Sequence, residues 1–348
     1  MRDHKLNVLQ GGVGGKGSRK NNSQRKSFGY QVLGFGSGGG VAPNPFTADY
    51  LMVAGGGGGT GQITGGGGAG GLIYSYCNSC AAGIGFDVGT YNITIGGGGP
   101  GGTGPSGSGV SGVATTIISG AGALATICKT ATGGGSVGCA PGPNPEGTPG
   151  GSGSGGKNNT YGSGNPPPVS AADGGPQGNN GGSAPGSGGS YAGGGGGGHG
   201  GVGGTSPAPG PLAGGPAGTG GVGSPHSISG SALSYAGGGG GGAYNPGAGG
   251  AASPCGTGGA GVPGNGDNPA GPANHGTTNR GGGGGSNSES SATDSSPAGN
   301  GGSGVVLLRY PNAICASVTP CTNTIACAPG STKLATFTVS GTFVAPEV

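Results

Sequence analysis

Apolar residues are concentrated in a few short runs, which long stretches of glycine and small polar residues separate. Continuous apolar runs occur at residues 50–54 and 305–308, and β-branched residues dominate residues 91–95 and 113–118. Short runs of this kind, bounded by glycine, predict β-strands. Residues 28–35 have the same character, and a Gly/Pro turn follows them.

A further strand is predicted at the C-terminus, where apolar and small polar residues alternate over residues 334–346. Its apolar positions are Leu334, Phe337, Val339 and Phe343. Since an exposed apolar strand tends to complete a sheet edge, we expect it to pair with the region of residues 46–54. That edge belongs either to the same chain or to the next subunit. We hypothesise the second arrangement, which links copies of the protein head to tail.

Glycine dominates the rest of the chain: 105 of the 348 residues are glycine and 28 are proline. This composition predicts that no ordinary globular core forms and that backbone hydrogen bonds hold the fold together. Within the tracts, the other residues recur every third position. The series are His199, Val202 and Thr205; Ala213, Pro216, Thr219, Val222 and Pro225; and Pro254, Thr257, Ala260 and Pro263. A polyproline-II helix has three residues per turn. The expected fold class is therefore a bundle of polyglycine-II helices with short flanking β-strands and almost no α-helix.

Disorder is the alternative interpretation of such a composition. Charged residues make up only 6% of the chain, and the segment SYAGGGGGG occurs at both residues 190–198 and 234–242, which favours repeated ordered units. We predict four regions: a basic flexible arm (1–26), a strand-containing part with the first glycine tracts (27–130), a polyglycine-II repeat region (131–311), and a cysteine-bearing tail with the C-terminal strand (312–348).

The arm of residues 1–26 carries seven of the 12 basic residues of the chain. These candidate anchor residues are Arg2, Lys5, Lys16, Arg19, Lys20, Arg25 and Lys26. A flexible basic segment can bind nucleic acid or an acidic protein surface, or it can be a solvated tail. Attachment to a larger particle is the functional interpretation.

Eight cysteines are candidate structural residues: Cys77, Cys80, Cys128, Cys139, Cys255, Cys315, Cys321 and Cys327. Their even number suits disulfide bonds in a chain with little core, although spacing does not determine the pairing. Buried thiols are the other structural interpretation. The single CxxC motif begins at Cys77 and lacks a second pair of zinc ligands nearby, which disfavours a zinc or redox site.

No group of residues in the sequence has the spacing of a catalytic site. The histidines, His4, His199, His226 and His275, are far apart, and the nine carboxylates are scattered. Every glycine run satisfies GxGxxG, so that pattern predicts no nucleotide site. We therefore predict a non-enzymatic protein without cofactor or metal. No apolar run is long enough for a Sec signal sequence or a membrane span, so assembly in the cytoplasm is expected, with export by a dedicated secretion system as the alternative.

Three motifs resemble a glycine-rich domain that is common in bacteriophage structural proteins. They are DYLMVAGGGGG at residues 49–59, GGGAGG at 66–71 and GSGVVLLRYP at 302–311. Related tail-fibre adhesins imply a polyglycine-II sandwich whose loops bind receptors. In the resembling domains, a segment like residues 334–346 usually precedes the first of these motifs. Here it follows, so the order looks circularly shifted.

The resemblance implies a structural or adhesive component of a viral fibre, a tail-fibre tip or a capsid decoration. Its expected location is the virion surface or an extracellular appendage. Its expected partners are copies of itself, other virion proteins through the basic arm, and a glycan or protein of the host surface. The alternatives are a cellular surface or ice-binding protein and a disordered matrix polymer. A flat threonine repeat would favour ice binding, but the period-three positions are mixed.

Overall fold

The apolar runs form β-strands. A computed structural model of the chain describes residues 45–61, 64–104, 107–137, 147–156, 176–184, 192–207, 215–244, 247–264, 271–288 and 296–347. The strands are β1 (Phe46–Val53), β2 (Leu72–Tyr74), β3 (Ile84–Phe86), β4 (Gly89–Thr94), β5 (Thr115–Ser119), β6 (Cys128–Ala131), β7 (Ser224–His226), β8 (Leu233–Tyr235), β9 (Val305–Pro311), β10 (Ser317–Thr319), β11 (Thr324–Ala328), β12 (Thr332–Phe337) and β13 (Gly341–Ala345).

All pairings between these strands are antiparallel. The first sheet has the order β11-β12-β9-β1-β2, and β3 pairs with the beginning of β1. The second sheet has the order β10-β13-β4-β5-β6, and β7 and β8 form a separate hairpin. The strands predicted at residues 50–54, 91–95, 113–118 and 305–308 are confirmed as parts of β1, β4, β5 and β9.

A hydrophobic core lies between the two large sheets. Alternate residues of β1 and β9 enter it from one sheet, and Tyr91, Ile93 and Phe343 enter it from the other. Aromatic rings meet at its centre: the ring centroids of Phe86 and Tyr91 are 4.7 Å apart, and those of Phe86 and Phe343 are 5.0 Å apart. Edge-to-face and tilted ring pairs at such distances stabilise a core beyond the area that they bury.

A second apolar cluster covers the opposite face of the first sheet. Leu51, Val53 and Leu307 point into it from β1 and β9, and Ile228 and Tyr235 from the β7–β8 hairpin cover them. Both faces of these strands are therefore buried, which explains their continuous apolar sequence. The prediction that no globular core forms is wrong, because the few large apolar residues are not spread along the chain but converge in these strands.

The glycine tracts run directly out of the strands and bind one another through their backbones. In residues 55–59, the amides donate in turn to Val113, Gly302, Gly68, Val110 and Gly299. Every third amide thus returns to the same neighbouring segment. The same alternation between neighbouring segments occurs in residues 238–242. Their amides donate in turn to Gly221, Gly67, Gly259, Gly218 and Thr64. Each inner tract is therefore hydrogen-bonded to several neighbours at once.

The predicted fold class, a bundle of polyglycine-II helices, is wrong. The part of the chain described by the structure contains no helix, and its strands form antiparallel sheets. The physical reason is that the apolar strands bury a large-side-chain core and determine the architecture. The glycine tracts are extended connections that stack beside this core rather than the body of the fold.

We predict slow hydrogen exchange in the inner tracts, because the amides of residues 193–198 and 238–242 all donate hydrogen bonds within the stack. The exposed Gly97 is the internal reference, and its amide should exchange much faster. Exchange measured by NMR or mass spectrometry checks this. Equal rates in the inner tracts and at Gly97 would contradict the stacked arrangement.

Candidate functional site: an exposed side-chain array

Three glycine-rich segments lie side by side at the surface: residues 199–207, 215–225 and 247–254. The first two are antiparallel, since the Gly204 amide donates to the Thr219 carbonyl at 2.7 Å and the Gly200 amide to the Val222 carbonyl at 2.8 Å. The third runs parallel to the second, because the amides of Ala217 and Gly220 donate to Ala248 and Ala251 at 2.9 and 3.0 Å.

Every third residue of these segments is exposed, and the residues between them are mostly buried against inner tracts. Beneath the middle segment, for example, the amides of Gly218 and Gly221 donate to Gly193 and Gly196. We call the exposed positions that follow this period of three the array surface. Its members are Val202, Thr205, Pro216, Thr219, Val222, Pro225, Ala248, Ala251 and Pro254. All nine are uncharged, and each has a small or stiff side chain.

The period-three pattern in the sequence identified the first two segments of the array surface. In the third it pointed to Thr257 and Ala260, which are buried and half-buried, in addition to the exposed Pro254. Ala248 and Ala251 were missed. Their spacing of three was the available signal, but alanine is so common in the surrounding sequence that it did not stand out.

Beside the array surface, His199 and His226 meet in an aromatic cluster. The Tyr74 ring centroid lies 4.2 Å from that of His226 and 6.2 Å from that of His199, and the two imidazole centroids are 6.4 Å apart. Nδ1 of His199 is 2.6 Å from Oγ of Ser224. On the far side, the Tyr235 ring packs near His226 and carries the Arg280 guanidinium at 4.9 Å. No pattern in the sequence indicated that these histidines lie together.

Burial keeps both imidazoles neutral. It lowers the pKa of His199 to about 4, to which the nearby His226 contributes, and it also lowers the pKa of His226.

We therefore predict that the protein loses stability as the pH falls from about 6.5 to about 4. In this range the unfolded chain binds protons at imidazoles that remain neutral in the fold, so acid favours unfolding, and above it these two imidazoles do not change the stability. Urea unfolding as a function of pH measures this. The variant His199→Gln/His226→Gln should have a flatter profile. A double variant with an unchanged slope contradicts the assignment.

Cys255 lies next to this cluster. Its Sγ accepts a hydrogen bond from the Gly223 amide at 3.0 Å and lies 2.9 Å from Oγ of Ser253. Burial alone would raise the pKa of the thiol, but hydrogen bonds from Ser253, Thr257 and the Gly223 amide outweigh it, and the pKa is lowered. The hydrogen bond from Gly223 to the thiol thus links the segment that carries Pro225 to the segment that carries Pro254.

The other candidate cysteines lie apart from this site. Cys77, Cys80, Cys128, Cys315, Cys321 and Cys327 are exposed, and these six and Cys255 are free thiols. The structure joins none of these seven residues in a disulfide bond, and Cys255 is the partly buried thiol among them. Cys139 is outside the described residues, as are residues 28–35 and the seven basic residues of the arm.

The C-terminal segment forms two strands rather than one, because the chain turns at residues 338–340. Leu334 and Phe337 lie on β12, which pairs with β9, and Phe343 lies on β13, which pairs with β4. These three side chains are buried, and Val339 in the turn is 40% exposed. The expected pairing with residues 46–54 does not occur in the structure, since β9 lies between β12 and β1.

Residues 41–311 match the family model of a glycine-rich domain. The chain belongs to this glycine-rich domain family. The matched range begins just before β1 and ends with β9, so it contains the glycine tracts and the array surface, while β10–β13 lie beyond it. The resemblance to a glycine-rich domain is confirmed. A search of curated proteins finds no match.

Two further properties of the described residues concern metal binding and membrane spanning. No three His, Cys, Asp or Glu side chains lie close enough together there to hold a metal ion. Nor do those residues include a helix with the length and hydrophobicity of a membrane span.

Proposed function

We propose that this protein is a non-enzymatic, structural and adhesive component of a virus-like fibre, tail-fibre tip or capsid decoration. The observation that carries the proposal is the array surface, which holds nine uncharged side chains in fixed rows on a hydrogen-bonded backbone. In this proposal the array surface contacts a host-surface glycan or protein. The basic arm of residues 1–26 attaches the protein to other virion proteins.

The composition of the array surface suits adhesion for an entropic reason. Alanine and proline lose no side-chain rotamer freedom on binding, and valine and threonine are stiff at χ1. The backbone beneath them is fixed by hydrogen bonds to the inner tracts. When a surface is already ordered, binding costs it little conformational entropy, and this favours affinity.

A binding assay with labelled protein and a panel of microbial cell surfaces tests adhesion. The variant Thr219→Lys/Val222→Lys places two charges at the centre of the array surface, and we expect it to bind at least about tenfold more weakly. Thr103→Lys is the matched control, since Thr103 is exposed on another segment. Equal binding by both variants and the unchanged protein excludes the array surface. Absence of the protein from purified particles excludes the virion assignment.

Ice binding is a second candidate, because the array surface is uncharged and regularly spaced. Against it, only Thr205 and Thr219 among its nine residues are threonine. Thermal hysteresis of the purified protein distinguishes the two functions: a freezing-point depression that Thr219→Lys/Val222→Lys abolishes indicates ice binding.

A further inference from the structure

Strand β11 forms an edge of the first sheet. It pairs with β12 on one side, with Cys327 opposite Lys333, and no other described strand pairs with its outer side. Three of its five residues, Thr324, Ala326 and Cys327, are exposed. An edge strand of this kind offers backbone amides and carbonyls to another chain.

The sequence of β11 lacks the features that usually protect an edge. Its residues, TIACA, include no charge and no proline. The other edges differ: β2 and β10 have only three residues each, and β6 carries Lys129. Short length and lysine both discourage pairing between sheets. Among the described edges, β11 is thus the longest uncharged one.

We propose that β11 pairs antiparallel with β11 of a second copy of this chain, in the register that places the two Cys327 residues opposite each other. Ala326 of each copy then lies opposite Ala328 of the other on one face of the pair, and Ile325 lies opposite Pro329 on the face that carries the thiols. A two-fold axis relates the copies, as in most homodimers. This interface goes beyond the adhesive function and does not depend on it.

The same register allows a covalent link. Directly opposed residues of an antiparallel pair have Cα atoms about 4.5–5.5 Å apart, and disulfides span about 4.4–6.8 Å. A low-molecular-weight disulfide such as oxidised glutathione supplies the oxidant. One Cys327 thiolate attacks it and releases one thiol, and the second Cys327 thiolate displaces the other thiol. Two protein thiols thus lose two protons and two electrons, and the oxidant becomes two thiols.

Sedimentation of the full chain under reducing conditions tests the pairing, and non-reducing electrophoresis with peptide mass spectrometry after addition of oxidised glutathione tests the register. We expect a reversible dimer at micromolar concentrations, and a covalent dimer joined through Cys327 after oxidation. Cys327→Ser should keep the reversible dimer and lose the covalent one. Ala326→Lys should lose both, because it charges the edge.

Thr324→Lys is a second edge variant in case Ala326→Lys does not fold, and circular dichroism monitors folding of both. Cys128→Ser, at an exposed thiol on β6, is the matched control and should behave like the unchanged protein. The proposal is overturned by a monomer at 100-fold higher concentration, by a dimer that persists in a folded edge variant, or by a covalent dimer joined through a different cysteine.

Discussion

Replacing Gly239 with alanine is expected to destabilise the protein by about 2–4 kcal/mol. Gly239 lies in an inner tract, where its amide donates to Gly67 at 2.9 Å. A Cβ atom at this position would be only 2.1 Å from the carbonyl oxygen of Gly284. Because that neighbour is backbone and is itself hydrogen-bonded on the other side, it cannot move away without breaking further contacts. The free energy of unfolding, measured in urea, reports the effect.

Gly97→Ala is the matched control, since a Cβ atom there meets nothing within 4 Å. Its stability should lie within about 1 kcal/mol of the unchanged protein, and a small gain is expected because alanine restricts the unfolded chain. If the two variants have equal stability, close backbone packing is not what requires glycine in the inner tracts.

Only part of the fold could be predicted from the sequence. The runs around Tyr50 and Val305 are short, apolar and bounded by glycine, so their strands were predictable from local pattern. Their pairing was not, because β1 and β9 are far apart in sequence, and local pattern does not identify the partner. Average composition also misled the interpretation, since it hides the convergence of large apolar residues in the strands.

The candidate site, too, could be predicted from the sequence only in part. Periodicity located Val202 and Thr219, because a side chain every third residue faces solvent while glycines face the inner tracts. The pairing of His199 with His226 against Tyr74 depends on contacts between segments that are distant in sequence. Such contacts follow from the stacking order of the glycine segments, and no residue pattern within one segment specifies that order.

The second large loss of stability is expected from a substitution in the C-terminal strands. Phe337→Ala should cost about 3–5 kcal/mol, because Phe337 is fully buried in the core between the sheets and its removal leaves a cavity. Val339→Ala, two residues further on, should cost less than about 1 kcal/mol, because Val339 lies at the surface of the turn. Urea unfolding of the two variants at equal protein concentration measures the difference.

The same pair of variants tests the hypothesis that residues 334–346 link subunits. If β12 pairs with β9 of its own chain, Phe337→Ala lowers stability equally at all protein concentrations, because folding of one chain does not depend on a partner. If the strand instead completes a sheet in the next subunit, Phe337→Ala leaves the isolated chain as stable as before and weakens assembly. A stability loss that appears only at concentrations where the protein is oligomeric would therefore reject the intrachain pairing of β12.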